Sequence, residues 1–316
     1  IVLEEKARRE AQLVPLGHLF VGRRLKSKFD EAGWLSEKVN GLDFLFFLRQ
    51  LVEEIETNWP SVLAALEAVR KSLLDRSTMI FNVTVDSADW TGIEPQLNGF
   101  VPDLPQGGGE TPTWQPAYSI APEGLTIPAQ VNYVGKGLSL YDAGYALDGS
   151  VSVINNYLRT TWLWEKIRVQ GGAYGGFSAF DHLSGVFNYV SYRDPNLLAS
   201  LENYNGTGQF LRSVDLSPDE LLKSVIGAIG SIDAYMFPDA KGFTSLQRYL
   251  TNQTDDFLQN YRDQVLSTTK QDFVAFGELL DAIKDDDRVV VLGALERLAE
   301  ANDEKGGNWI EIQKVV

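Results

Sequence analysis

The sequence contains no cysteine and only two histidines, His18 and His182. The lack of cysteine excludes disulfide bonds, thiolate metal sites and a cysteine nucleophile within these 316 residues. Neither histidine belongs to a His-x-x-Glu-His or His-Glu-x-x-His pattern, so the sequence lacks a complete zinc-peptidase site. We therefore expect no metal ligands here, a structural role for His18, and a solvated His182 at the tip of a hairpin.

Other familiar signatures are also missing. There is no Gly-x-Ser-x-Gly elbow, no phosphate loop and no dinucleotide-binding glycine motif. No apolar run approaches the ~18 residues of a membrane span, so we expect no membrane partner. The net charge is −15, with 43 acidic and 28 basic residues, which disfavours nucleic acid. Such a charge would attract basic peptides, although solubility alone also explains it.

The first third of the chain looks like part of a domain. Residues 3–56 have a helical pattern, and residues 79–85 alternate like a strand. One strand with several helices cannot close a two-layer domain, so we expect its other strands to lie before residue 1. The first residue is Ile rather than Met, which suggests a processed form or an excised piece.

A linker and an α+β region follow. Residues 106–116 belong to a stretch rich in proline and glycine without apolar periodicity, which predicts a linker between residues 1–105 and 117–316. Beyond it, we expect a helix over residues 151–167 and a helix beginning at Asp194-Pro195. The predicted strands are residues 117–120, 130–134, 172–180, 185–192, 288–292 and 309–315, of which the third and fourth form a hairpin.

The most unusual stretch is residues 168–180. Glycine replaces packing side chains at four positions of a predicted strand, which are Gly171, Gly172, Gly175 and Gly176. Tyr174 stands between the two pairs, six residues after Arg168. One interpretation is a strand edge that receives an extended peptide, with the arginine and the phenol directed at a carbonyl. The other is a bulged strand with a surface tyrosine and an arginine at a helix end.

Four segments carry a family resemblance. Residues 164–177 (WEKIRVQGGAYGGF) resemble the C-terminal half of pitrilysin-type zinc metallopeptidases, in the presequence protease branch. Residues 32–34 (AGW), 189–196 (YVSYRDPN) and 232–242 (IDAYMFPDAKG) are similar to the same branch. The resemblance implies an α+β fold of pitrilysin-like rolls, each an antiparallel sheet backed by helices. It implies the later part of a third roll over residues 1–105 and a complete fourth roll over residues 117–316.

The resemblance also implies a function. Arg168 and Tyr174 match the arginine and tyrosine that this half contributes across the catalytic chamber, and the glycines around them would contact substrate. Zinc would be bound by the N-terminal half of the same protein. The implied substrates are cleaved presequences, transit peptides and other short, basic, unstructured peptides. The implied compartment is the mitochondrial matrix or the chloroplast stroma.

Two alternatives come from other functional classes. One is a non-catalytic pitrilysin-like partner subunit that kept the fold and lost the chemistry. The other is a peptide-binding module that uses the glycine-rich edge without hydrolysis. A preceding half with a His-x-x-Glu-His motif would favour the protease, and its absence would favour one of the alternatives.

Overall fold

One open sheet of six strands organises the larger of two compact units. The computed structural model describes residues 1–107 and 113–316. The first unit consists of Ile1–Arg49, Pro116–Ile232 and Tyr261–Val316, and the second of Gln50–Gln115 and Asp233–Asn260.

The sheet is mixed. In chain order its strands are β1 (Glu123–Thr126), β2 (Tyr133–Ser139), β3 (Gly175–Phe180), β4 (Val186–Tyr192), β5 (Val289–Gly293) and β6 (Glu311–Lys314). They lie in the order β3-β4-β2-β5-β1-β6. The neighbours from β3 to β5 are antiparallel, as predicted, whereas β1 runs parallel to both β5 and β6. β6 has the same direction as β5 because the chain between them forms a helix, α14 (Leu295–Glu304), and such a crossover returns it in the same direction.

Fourteen helices are found in the described part of the chain. In chain order they are α1 (Val2–Gln12), α2 (Gly17–Lys26), α3 (Glu31–Asn40), α4 (Leu42–Thr57), α5 (Trp59–Leu73), α6 (Ser87–Phe100), α7 (Ser150–Thr160), α8 (Leu198–Asn205), α9 (Thr207–Ser213), α10 (Pro218–Ile232), α11 (Pro238–Leu250), α12 (Asp255–Leu266), α13 (Lys270–Leu280) and α14 (Leu295–Glu304). A π-helical turn, Trp164–Gln170, follows α7. The α+β class predicted from the sequence is confirmed.

Helices cover both faces of the sheet. Side chains alternate along β5, so that Val290 and Leu292 join one apolar cluster while Val289 and Val291 join the other. The first cluster includes residues of α2 and α4, and the second includes residues of α7, α8, α10 and α13. All five residues of β5 are buried, as expected for a strand covered on both sides.

Residues 1–49 belong to the unit that contains the sheet, which differs from the sequence-based division at residues 105 and 117. The reason is the apolar face of α2, whose Phe20, Val21 and Leu25 are buried in the cluster on the sheet. Burial of such side chains contributes about 1.5–3 kcal/mol each. The assignment of residues 1–105 and 117–316 to a third and a fourth roll stays a prediction.

Two predicted strands are wrong. Residues 79–85 and 117–120 belong to no helix or strand in the structure. A strand needs a partner for its backbone hydrogen bonds, and no strand pairs with residues 79–85 in the part of the chain that the structure describes. Conversely, β1 was missed because it has only four residues and contains Gly124.

The regular secondary structure of the second unit, among its described residues, is helical. It contains α5, α6 and α11, and no strand is assigned among its described residues. Five residues of the predicted linker 106–116, residues 108–112, lie outside the described part. Within residues 1–107 and 113–316, no helix combines the length and the apolar character that a membrane crossing requires.

Candidate functional site

The predicted site residues lie on one continuous segment that leads from α7 into β3. The predicted helix over residues 151–167 is α7 followed by the π-helical turn, and Arg168 lies near the end of that turn. A positive side chain is favourable there because carbonyl groups at a helix C-terminus carry partial negative charge. π-Helical turns are rare and occur frequently at functional sites.

Gly171 and Gly172 make the turn between helix and strand. Gly172 has φ +78°, and its N–H donates to the carbonyl of Arg168 at 3.0 Å. The next N–H, of Ala173, donates to the carbonyl of Ile167 at 3.1 Å. A Cβ on Gly171 would lie 2.6 Å from that same carbonyl oxygen. Glycine therefore lets the chain reverse tightly, with the last helical carbonyls satisfied.

The second glycine pair brings β3 close to the π-helical turn. A Cβ on Gly176 would lie 2.9 Å from Cβ of Ile167, and one on Gly175 would lie 2.9 Å from the Phe177 ring. The close packing around Gly175 and Gly176 is therefore enough to explain why these positions are glycine, without a bound ligand. Their predicted contacts with substrate stay a prediction.

The Arg168 side chain stacks on an exposed tryptophan. Its guanidinium carbon lies 4.2 Å from the centre of the Trp164 ring, one helical turn earlier. Such cation–π contacts at exposed sites contribute about 0.5–1 kcal/mol. The contact favours one orientation of the guanidinium group, and the Arg168 side chain is exposed.

Tyr174 occupies the start of the edge strand and is 64% exposed. Its N–H donates to the carbonyl of Tyr192 at 3.0 Å, which extends the hairpin by one bond. Its ring meets the Tyr192 ring edge-on, with 6.3 Å between centres. The phenol is therefore attached to a well-anchored backbone position and is open to a ligand.

Arg193 lies next to the Tyr174 ring and has no part in the hypothesis drawn from the sequence. Its guanidinium carbon is 5.5 Å from the ring centres of both Tyr174 and Tyr192. Arg193 has φ +48°, a conformation that costs energy for a residue with a side chain and that often marks functional sites. The sequence offered one indication of a role for Arg193, which is its place in residues 189–196, one of the segments that carry the resemblance.

The loop after β4 fastens the glycine turn. The Asn196 amide donates to the carbonyl of Gly171 at 2.6 Å, and the Asn196 N–H donates to the Asp194 carboxylate at 2.9 Å. The Ser200 hydroxyl donates to the same carboxylate at 2.6 Å. Burial raises the pKa of Asp194, and the hydrogen bonds from Ser200 and Asn196 oppose that rise. The predicted helix start at Asp194 is wrong, because α8 begins at Leu198 and Asp194 instead braces the loop.

The hairpin prediction is confirmed and puts the site at a sheet edge. β3 pairs with β4 in antiparallel register from Gly175 opposite Tyr192 to Phe180 opposite Phe187. β3 is also the terminal strand of the sheet, so alternate backbone N–H and C=O groups point away from β4. Such an edge can accept an additional extended chain.

The described residues do not fit a zinc site. Within residues 1–107 and 113–316, no group of three or more histidine, aspartate or glutamate side chains could hold a metal ion. His18 lies in α2, where its ring contacts Tyr192 at 4.7 Å and Phe177 at 5.8 Å between centres. His182 lies in the β3–β4 turn. Burial lowers the pKa of His18, which favours the neutral ring.

The glycine turn gives a testable stability difference. Gly172→Ala is expected to lower the free energy of unfolding by about 1–2 kcal/mol, because an alanine at φ +78° is strained although its Cβ would meet only Pro195 at 3.6 Å. Gly230→Ala, the same change within α10 and with open space around the new methyl, is expected to stabilise by up to ~1 kcal/mol. Urea unfolding of both variants measures the difference. Equal stabilities would show that the left-handed turn is not required.

Comparison with known proteins supplies a family context. The family model described as "PreP C-terminal domain" matches residues 122–296, more than half of the chain, and a second model, described as associated with a peptidase family, matches residues 1–51. "Presequence protease 1, chloroplastic/mitochondrial" from Arabidopsis thaliana is 42% identical over 316 residues, which is 100% of this chain and 29% of the relative. "Presequence protease, mitochondrial" from Saccharomyces cerevisiae is 28% identical over 267 residues, covering 81% of this chain and 27% of the relative.

A solved structure is also similar. A peptidase M16 inactive domain from Pseudomonas fluorescens matches with a TM-score of 0.46 at 16% identity, over 66% of this chain and 51% of that one. The chain spans less than a third of the length of the two presequence proteases.

Proposed function

Because the chain belongs to the family of PreP C-terminal domains, we propose that it is the C-terminal half of a zinc metalloendopeptidase. The proposed substrates are cleaved targeting presequences, transit peptides and other short unstructured peptides. The names of the relatives from Arabidopsis thaliana and Saccharomyces cerevisiae support this substrate class. The same names support a location in the mitochondrial matrix or the chloroplast stroma.

One observation carries the catalytic part of the proposal. Arg168 and Tyr174 are two exposed donors at the two ends of a rigid glycine turn, at the start of an open sheet edge. The Tyr174 phenol would donate a hydrogen bond to a peptide carbonyl oxygen as that oxygen gains negative charge. Removing one such donor typically lowers kcat by about 100-fold to 1000-fold. The phenol would therefore contribute strongly to kcat although it binds no metal.

Arg168 would hold the peptide. A guanidinium group offers five N–H donors in a planar fork that can bind two acceptors at once. Stacking on Trp164 at 4.2 Å supports this role, since it orients the fork before the peptide arrives. Arg193 would act as a positioning residue, because its guanidinium group lies 5.5 Å from the centre of the Tyr174 ring.

Zinc would be bound by the N-terminal half of the same protein, which is the proposed partner of this chain. The described residues of this chain offer no fitting ligand set. The chain's own part is to bind the peptide, to orient it and to stabilise charge on the carbonyl. Of the two alternatives, a non-catalytic partner subunit would keep the fold without the chemistry, and a peptide-binding module would use the same edge without hydrolysis.

The peptide would add to β3 as an extended strand. Backbone hydrogen bonds along such an edge provide affinity with little dependence on sequence, which suits a protease of many different unstructured peptides. The net charge of −15 favours basic peptides. Targeting peptides are rich in arginine and poor in acidic residues, so they match this charge.

The proposal is tested by comparing the chain with a full-length protein that contains it. The full-length protein is expected to hold stoichiometric zinc and to hydrolyse a basic fluorogenic peptide, whereas the chain by itself should do neither. Metal analysis and a peptidase assay on the same preparations give both quantities. Turnover by the chain alone would refute the split site, and a full-length protein without zinc or turnover would favour a non-catalytic alternative.

A further inference from the structure

A groove of about 530 Å³ runs beside the edge strand, on the side opposite the π-helical turn. It lies between α2 and the hairpin of β3 and β4. Its lining is mostly apolar and includes Leu19 from α2, Phe177 from β3 and Val190 from β4. Phe177 is 38% exposed, so part of its ring faces the open groove.

The groove exists because small residues flank one position of β4. Asn188 stands opposite Ala179 on β3 and opposite Gly137 on β2. Ala179 carries no side chain beyond Cβ, so it leaves space beside Asn188 between Phe177 and α2. Over Gly137, on the other side of Asn188, Phe29 and Leu25 fill the corresponding space.

An unsatisfied polar group lies in this groove. Asn188 is only 6% exposed, and its Oδ1 has no hydrogen-bond partner within the described residues. The buried Nδ1 of His18, which also lines the groove, has none either in that part of the chain. Buried polar groups in folded proteins are nearly always paired, and an unpaired one is costly. The two atoms thus point to an occupant that brings hydrogen-bonding groups of its own.

We propose that the groove is a side-chain pocket for the peptide that adds to β3, and that it selects an aromatic side chain with a hydrogen-bond donor, tyrosine or tryptophan. The apolar ring would pack against Phe177, Val190 and Leu19, and the hydroxyl or indole N–H would donate to Asn188 Oδ1. This inference rests on the proposed function, because it assumes that a peptide occupies the β3 edge.

Strand geometry connects the edge with the groove. Side chains of an added strand would alternate between the two faces of the sheet. Those on the groove side would lie about 5 Å from Phe177 or Ala179, the β3 residues of that face. Arg23 and Lys26 also line the groove. Lys26 forms an ion pair with Asp181 at 3.6 Å, so Arg23 is the charge that would repel a lysine or arginine side chain. The basic residues of a substrate would then point to the other face.

Photo-crosslinking tests the pocket directly. A basic ten-residue peptide would carry benzoylphenylalanine at each position in turn, and it would be bound to the full-length protein after removal of metal, so that it stays intact. We expect crosslinks to Leu19, Phe177 or Val190 from every second position of the peptide. Crosslinks without alternation, or only to residues outside the groove, would overturn the proposal.

Ala179 provides matched variants. Ala179→Trp is expected to fill the groove and to raise KM about tenfold for a peptide containing tyrosine, but less than twofold when serine replaces that tyrosine. Ala179→Ser, which adds little volume, should keep the preference for tyrosine. An Ala179→Trp enzyme with an unchanged preference would contradict the pocket. Because Tyr174→Phe reports on catalysis and Ala179→Trp on side-chain preference, a failure of the pocket and a failure of the proposed chemistry can be told apart.

Discussion

Tyr174→Phe, introduced into a full-length enzyme that contains this chain, is expected to lower kcat about 100-fold to 1000-fold. KM should change little, because the proposed hydrogen bond forms to an oxyanion that exists only beyond the ground state. Folding should be unaffected. Phenylalanine keeps the ring that contacts Arg193 at 5.5 Å and Tyr192 at 6.3 Å, and the lost hydroxyl belongs to a side chain that is 64% exposed.

A control separates the phenol of Tyr174 from tyrosine hydroxyls in general. Tyr249 in α11 is 79% exposed and has no part in the proposed site, so Tyr249→Phe should retain the kcat of the unmodified enzyme. Steady-state kinetics on a basic unstructured peptide, together with melting curves, measures both variants. If Tyr174→Phe kept kcat within about twofold, Tyr174 would have no role in the chemical step.

Arg168→Lys is expected to lower kcat/KM about 10-fold to 100-fold, the loss that corresponds to one or two hydrogen bonds from a charged donor. Lysine keeps the positive charge but lacks the planar fork, and its ammonium group cannot stack flat on Trp164 as the guanidinium does. Charge alone should therefore not restore the rate. Trp164→Leu should produce a smaller loss, because it removes only the contact that orients Arg168.

Arg159 offers the matched control for this substitution. It is an exposed arginine at the end of α7, the helix before the π-helical turn, and no role is assigned to it. Arg159→Lys should leave kcat/KM unchanged. If Arg168→Lys were equally silent, Arg168 would be a surface residue at a helix end, which is the simpler interpretation of its position.

Local patterns predicted the part of the fold that is built from neighbours in the sequence. The alternation in residues 172–180 and 185–192 gave the β3–β4 hairpin, because the two strands are joined by a short turn and share one register. The sequence could not indicate that residues 79–85 pair with no strand among the described residues, since pairing depends on residues far away. It also could not show that α2 packs on the sheet, because an apolar helix face does not identify its partner.

The same distinction applies to the site. Arg168, Tyr174 and the glycines between them were found because they lie within one short segment. Arg193 and Asn196 were missed as site residues, although they belong to a quoted motif, because their roles arise only when the loop after β4 returns to Gly171 and Tyr174. The groove could not be predicted from the sequence for the same reason. Its floor depends on the register that sets Asn188 between Ala179 and Gly137.

The most direct measurement is a crystal structure of the full-length enzyme, with its metal removed, bound to an uncleaved basic peptide. The central claim is that Arg168 and Tyr174 act on the same peptide at the β3 edge. It predicts an extended peptide beside β3, with the Tyr174 hydroxyl within about 3 Å of one peptide carbonyl oxygen and the Arg168 guanidinium donating to an acceptor of the same peptide. A peptide bound elsewhere, with both side chains facing only solvent, would contradict the claim.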